Sequence, residues 1–142
     1  MIIREFLNEG RRAEELIESD IAELERLRAL AYSIQAVTGG ERVRSSRRSA
    51  ANFTAVIEKI ELVEERLNDE IDAYVDKKEE IRRVINSLTN ADERLCLKLR
   101  YLDFCSWVDI AEKMAYSERQ VYRLHDRAIA HIDVSLICKA AV

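Results

Sequence analysis

The chain has 142 residues, no proline, three glycines and a formal net charge of −4, a composition that favours helix throughout and a single domain, or a small domain with an extended element. No apolar run approaches the roughly 20 residues that a membrane span needs. We therefore expect no membrane contact and a cytoplasmic protein whose three cysteines, at positions 96, 105 and 138 without CxxC spacing, are reduced.

The first predicted element is a helix over residues 2–37. Its apolar residues recur three or four apart, with Glu and Arg between them, as one face of a helix requires. These residues are Ile17, Ile21, Leu24, Leu27, Ala31 and Ile34. Because Gly10 is unfavourable inside a helix by about 1 kcal/mol relative to alanine, the sequence predicts fraying before Arg11.

A basic loop is predicted over residues 38–51. Gly39 and Gly40 can end the first helix by adopting positive φ, and the run rich in Arg and Ser that follows is typical of a loop. The arginines of this loop are Arg42, Arg44, Arg47 and Arg48. They are either solvated or in contact with the phosphate backbone of bound DNA.

A second long helix is predicted from a cap at Asn52 to about Leu88. Its apolar residues alternate four and three apart, as in a heptad seam, at Phe53, Ile57, Ile60, Leu67, Ile71, Tyr74, Ile81, Ile85 and Leu88. Two such helices joined by a loop should form a long antiparallel, coiled-coil-like hairpin over residues 1–88, each helix about 50 Å long. Because a hairpin buries one stripe only, we expect its free sides to bind a partner, most simply a second copy in a homodimer.

Residues 89–142 are predicted to form a separate helical domain. Asn90, or Thr89 with Asp92, can cap a helix over residues 91–102, with Leu95, Leu99 and Leu102 facing inward. The last helix is expected to run past His131 to about Ile137.

Two short helices joined by a tight turn are predicted between residues 106 and 131. Ser106 with Asp109, and Ser117 with Gln120, have the spacing of capping boxes. Small residues at the helix crossing and in the turn, and apolar residues between the helices, match the helix-turn-helix of DNA-binding proteins: Ala111, Ala115, Val121 and Leu124. Such pairs place the second helix in the major groove.

The candidate DNA contacts lie on the outward side of these helices. Arg119 and Arg123 can bond guanine, and Gln120 can bond adenine or complete its capping box. Contacts to the phosphate backbone set the position of a protein on the duplex, but they do not read the base sequence. The full predicted set is Ser117, Glu118, Arg119, Gln120, Arg123, Arg127, Ser106, Lys113 and Tyr122. The alternative is a solvated face on which Glu118 and Asp126 pair with the arginines, with Trp107 in the core in either case.

The overall negative charge weighs against binding to nucleic acid, because phosphate contacts supply much of the affinity. The local distribution of positive charge favours such binding, since Arg119, Arg123 and Arg127 recur on one helix face. Neither a Gly-rich phosphate loop nor a nucleophile or HExxH motif occurs in the sequence, and His125 and His131 lack the spacing for a shared metal site. We therefore expect no enzyme activity, no cofactor and no metal.

Residues 93–102 (ERLCLKLRYL), 106–114 (SWVDIAEKM) and 116–125 (YSERQVYRLH) resemble region 4 of bacterial sigma factors. The chain more closely resembles small sigma-region-4-like proteins of phages and prophages in Gram-positive bacteria, which include activators of late or packaging genes. That resemblance extends to the Gly39–Gly40 loop and the Glu-rich helix. It implies an all-α, sequence-specific transcriptional regulator that binds double-stranded DNA, with RNA polymerase as a further partner.

In sigma region 4, the positions that read the −35 element match Glu118, Arg119 and Arg123 here. Glu118 stands where sigma factors often carry a basic residue, so a −35 consensus target is not implied. The chain has no counterpart of region 2, which points to an activator or an incomplete, sigma-like factor. Two alternatives are a protein-interaction module that docks through the hairpin and a small terminase-type packaging subunit, which would assemble into rings.

Overall fold

The computed structural model describes residues 2–38 and 43–140, which form six helices and the turns between them. The helices are α1 (Ile2–Thr38), α2 (Val43–Asn86), α3 (Ala91–Tyr101), α4 (Trp107–Met114), α5 (Glu118–His131) and α6 (Val134–Ala140). The expected all-α fold, two long helices followed by shorter ones, is confirmed.

The second helix begins at Val43 and not at Asn52, so the prediction of a loop was wrong for residues 43–51. This stretch contains neither glycine nor proline, and its arginines and alanines favour helix. Arg48 lies exposed on α2. Gly39, Gly40 and Arg42 lie outside the described residues, as do the side chains of Arg44 and Arg47.

The described chain divides into two compact units, Met1–Glu14 with Ala73–Val142, and Glu15–Asp72. The first unit therefore joins the start of α1 and the last part of α2 to the C-terminal helices. Independent folding of residues 89–142 stays a prediction.

In the unit Glu15–Asp72, α1 and α2 pack antiparallel. Arg28 pairs with Glu64 at 3.1 Å and Arg66 with Asp20 at 3.1 Å, so the numbering rises along one helix as it falls along the other. The buried seam consists of Ile17, Leu24, Ala31, Val56, Ile60, Val63 and Leu67. Ile21, which was expected on the apolar face of α1, and Ile71, which the heptad assigned to the seam, are about 40% exposed, because a narrow two-helix contact leaves the flanks of the stripe in solvent.

A polar cluster interrupts this seam. Arg66 donates to Asp20 and to Glu23, and Asp20 and Glu70 share a hydrogen bond. That bond and burial raise the pKa of Glu70, whereas the bonds from Glu70 and Arg66 lower the pKa of Asp20. Glu70 is therefore the member of the acidic pair that retains a proton more readily.

The other unit has a core to which α1, α2, α3, α5 and α6 all contribute. Its buried members are Phe6, Leu7, Ile81, Val84, Ile85, Leu88, Leu97, Tyr101, Leu102, Ala128, Ile132 and Ile137. Fraying before Arg11 was wrongly predicted, because Phe6 and Leu7 anchor the first turns of α1. Gly10 lies buried there, where an added Cβ would sit 3.0 Å from the Cδ1 atom of Ile81, so its small size permits close packing.

Two further details differ from the sequence prediction. Leu95 is 44% exposed, because α3 buries Leu97 on one side and Cys96 on another. The last helix is broken at Ile132, whose backbone is extended, and the Asp133 carboxylate accepts a hydrogen bond from the backbone N of Ser135 at the start of α6.

Candidate nucleic-acid interface

The helices α4 and α5 form a helix-turn-helix pair on α3. Their shared buried side chains are Cys96, Leu99, Ile110, Ala111, Val121 and Leu124. Ala111 and Val121 thus occupy the interior positions that the sequence assigned to them. The small Ala111 side chain is 8% exposed, as expected at a close crossing.

The turn between α4 and α5 is fixed by local hydrogen bonds. Ala115 adopts the left-handed conformation (φ 58°, ψ 39°), and the backbone N of Tyr116 donates to the carbonyl of Ala111 at 3.0 Å. The Ser117 hydroxyl accepts from the backbone N of Gln120, whose side chain accepts from the backbone N of Ser117. This predicted capping box is confirmed, and it fixes the first turn of α5.

Replacing Ala115 by glycine should stabilise the protein. A left-handed conformation costs an L-residue about 1–2 kcal/mol, and the greater chain entropy of glycine in the unfolded state offsets part of this, so we expect a net gain of about 0.5–1 kcal/mol. Thermal unfolding measures the change. The control is Ala73→Gly in the exposed interior of α2, which should cost about 1 kcal/mol; a decrease in stability at both positions would contradict the prediction.

The nine predicted contact residues on α4, α5 and their caps are all exposed: Ser106, Lys113, Ser117, Glu118, Arg119, Gln120, Tyr122, Arg123 and Arg127. Asp126, the expected intrahelical ion partner, instead pairs with Arg4 of α1 at 2.8 Å. Among the residues that the structure describes, Arg119, Arg123 and Arg127 make no ion pair, so this helix face carries three cations that are available to a ligand.

A groove of about 320 Å³ runs beside this face, between α5 and the start of α3. It is lined by Asn90, Asp92, Tyr116, Gln120, Arg123, Leu124 and Arg127. The Tyr116 hydroxyl donates to the Asp92 carboxylate at 3.0 Å, and this bond raises the pKa of Tyr116. Asn90 caps α3, as predicted, by accepting from the backbone N of Asp92 and of Glu93.

On the other side of α5, aromatic side chains connect α3, α4 and α5. The ring of Trp107, which is half-buried, lies 4.7 Å from that of Tyr122 and 5.0 Å from that of His125, measured between centroids. His125 is 5% exposed, and its Nε2 atom lies 2.6 Å from the Tyr101 hydroxyl oxygen. Trp107 thus packs inward, as the sequence predicted, while Tyr122 keeps one face in solvent.

The His125 imidazole should make stability depend on pH. Burial lowers the pKa of His125 from the ordinary value of 6.5, and the positive charges of Arg4 and Arg100 lower it further. The nearby carboxylate of Asp126 opposes this shift only in part. Because the unfolded chain binds this proton more readily, the free energy of unfolding should fall as the pH drops below about 6.5. Urea unfolding between about pH 5 and pH 7.5 tests this, with His125→Gln expected to flatten the curve; an identical pH dependence in both proteins would contradict it.

One contact to a buried carboxylate was not predicted from the sequence. Glu93 is 2% exposed, and both of its carboxylate oxygens lie 2.9 Å from the Nδ1 atom of His131 at the end of α5. A glutamate in the first turn of a helix is typical of a surface residue, and the two partners lie too far apart in the chain for any local signal.

Three other features bear on the chemistry of the protein. Burial raises the pKa of Cys96 to about 11, and Cys96 and Cys105 are free thiols. Within the described ranges, no group of three His, Cys, Asp or Glu side chains could hold a metal ion. No helix in that part of the chain is long and apolar enough to cross a membrane.

These features define an all-α protein in which a helix-turn-helix pair packs on the ends of two long helices. The chain belongs to the family described as "Protein of unknown function (DUF1492)", whose model matches residues 26–133. Neither the curated proteins nor the solved structures include a match to this chain.

Proposed function

We propose that this protein is a sequence-specific, DNA-binding transcriptional regulator of phage or prophage type, with α5 as the helix that reads the major groove. The observation that carries the proposal is the division of α5 into two faces. Val121, Leu124 and Ala128 are buried, and Arg119 and Arg123 point away from them, exposed and without ion partners among the described residues. An outward arginine on such a helix suits the O6 and N7 acceptors of guanine.

The rigidity of the pair supports the same proposal. Base recognition requires side chains held in place by their own helix and its packing. The capping box at Ser117 and Gln120, together with the interior formed by α3 and α4, supplies that support. Lys113 and Ser106 lie exposed on the adjacent α4 and at its cap, where they suit backbone phosphates.

The test is selection of duplexes from a random DNA pool at near-physiological salt. We expect a recovered motif, and an inverted repeat within it would indicate a two-fold dimer with a measurable half-site spacing. The Arg119→Ala/Arg123→Ala variant should no longer enrich the motif. The control Arg26→Ala/Arg83→Ala removes two exposed arginines from the long helices and should keep it. Absence of enrichment with folded wild-type protein would reject the proposal.

A second candidate is a protein-interaction module that docks RNA polymerase or another copy of itself through the long helices. The observation that favours it is a set of large, solvent-facing apolar side chains in the unit Glu15–Asp72: Leu16, Leu30, Tyr32 and Leu62, each between 48% and 75% exposed. Scattered exposed apolar residues are common, so this candidate ranks second. Light scattering measures self-association, and Tyr32→Ser with Leu62→Ser should reduce it if these residues form the contact.

A further inference from the structure

Three cationic side chains from three helices surround the turn between α3 and α4. The guanidinium carbon of Arg11 lies 5.8 Å from the centroid of the Phe104 ring, and the Nζ atom of Lys78 lies 5.4 Å from the same centroid. Arg100 donates from Nη1 to the carbonyl oxygen of Cys105 at 3.1 Å. All five residues belong to one compact unit, and the cations reach the turn from α1, α2 and α3.

No carboxylate neutralises these cations in the part of the chain that the structure describes. Arg11, Lys78 and Arg100 take part in none of its ion pairs, and their ring contacts are to Phe104, Tyr74 and Trp107. The proximity of Arg11 adds to the effect of burial in lowering the pKa of Arg100. Arg11 and Arg100, which carry like charges, therefore repel one another, and a bound anion would relieve the repulsion.

The turn that they surround has a fixed conformation. Phe104 has a φ of 56°, which is rare and strained for a bulky side chain. The backbone N of Cys105 donates to the carbonyl of Leu99 at 2.9 Å, so the turn is held by α3. This geometry presents the Phe104 ring to Arg11 and Lys78.

One of these cations, Arg100, also adjoins the face that we propose for DNA. The guanidinium of Arg100 stacks 4.3 Å from the centroid of the Trp107 ring, which in turn lies 4.7 Å from the ring of Tyr122. Tyr122 lies one helical turn after Arg119. A continuous series of side-chain contacts therefore connects Arg100 to the exposed side of α5.

We propose that Arg11, Lys78 and Arg100 bind one backbone phosphate of the DNA that α5 reads. This inference rests on the proposed function and extends it, because it makes α1 and α2 part of the nucleic-acid interface. A phosphodiester fits the three groups, since arginine presents a fork of donors to phosphate oxygens and lysine a mobile point charge. Such a contact fixes the position of the protein on the duplex and carries no sequence information.

The experiment compares the wild-type protein with Arg11→Gln/Lys78→Gln by titrating a duplex at several salt concentrations. Arg100 is left intact, because its side chain packs on Trp107. We expect the slope of log K against log salt to become less steep by up to about 0.9, because Arg100 alone neutralises that phosphate less completely than the three cations together. The decrease in affinity should be the same for a selected duplex and an unrelated one.

The matched control is Arg26→Gln/Arg83→Gln, which removes the same charge from exposed positions and should leave the slope unchanged. The conservative variant Arg11→Lys/Lys78→Arg should restore the slope, and thermal unfolding confirms that each variant is folded. An unchanged slope in Arg11→Gln/Lys78→Gln, with wild-type binding intact, would overturn the phosphate site and leave the proposed function standing. If the wild-type protein bound no duplex, both the phosphate site and the proposed function would be overturned. Binding of polyglutamate that depends on Arg11 and Lys78 would then show that the cations bind an acidic protein.

Discussion

Replacing His131 by alanine is expected to lower the free energy of unfolding by about 2–3 kcal/mol. The change removes the one side chain that the structure places against the buried carboxylate of Glu93. Breaking a fully buried pair costs about 3–5 kcal/mol. The expected effect is smaller because the His131 side chain is 61% exposed, so water can replace part of the interaction. Urea unfolding near neutral pH measures the difference.

The control for this prediction is a double-mutant cycle with Glu93→Gln. Glutamine keeps the shape of the side chain without its charge, so Glu93→Gln/His131→Ala should be more stable than the sum of the two single effects implies. Arg127→Ala removes an exposed side chain from the same helix and should change stability by less than about 0.5 kcal/mol. Additive effects at positions 93 and 131 would show that the pair contributes nothing.

Replacing Arg123 by alanine is expected to weaken binding to a selected duplex by about 1–3 kcal/mol and to relax specificity at one base pair. The side chain lies exposed at the edge of the groove between α5 and α3 and makes no ion pair within the described residues. Its removal should therefore leave thermal stability nearly unchanged. Competition titrations against duplexes with single base-pair changes measure both the affinity and the specificity.

Arg127→Ala provides the comparison, since Arg127 lies one turn further along α5 and lines the same groove. We expect it to weaken all duplexes equally, as removal of a phosphate-binding side chain does. If Arg123→Ala retained the wild-type preference at every base pair, the assignment of Arg123 to base recognition would be wrong, whatever its effect on affinity.

The features that could be predicted from the sequence depend on short-range physics. The capping box at Ser117 and Gln120 and the cap at Asn90 satisfy donors three residues away at most, and residue type at fixed spacing determines them. The start of α2 was wrongly predicted because Ser and Arg occur in loops and in helices, so the run after Gly40 gave no decisive signal. Leu95 was wrongly assigned to the interior because periodicity alone cannot say which side of α3 has a neighbour.

The pairs that complete the candidate interface lie far apart in the chain. Arg4 and Asp126 are separated by 122 positions in the sequence. Arg11 contacts Phe104, although the whole of α2 lies between them in the sequence. Only the tertiary fold brings these side chains together, so spacing rules could not find them. For the same reason the sequence pointed to Asp126 as a partner for the arginines of α5, when the arginine that pairs with it is Arg4 on α1.

The contribution of Phe6 and Leu7 to the core that also holds Ala128 and Ile132 has a consequence for biosynthesis. These two side chains leave the ribosome long before α5, the helix that contributes Ala128 to this core. At the usual rate of about 5–20 residues per second, they wait roughly 6–25 seconds for that helix. During this interval the core around the first turns of α1 stays incomplete, and a chaperone must shield its apolar side chains or the finished chain must recapture them. The first turns of α1 should therefore be where aggregation during expression begins, and slower translation should worsen the yield.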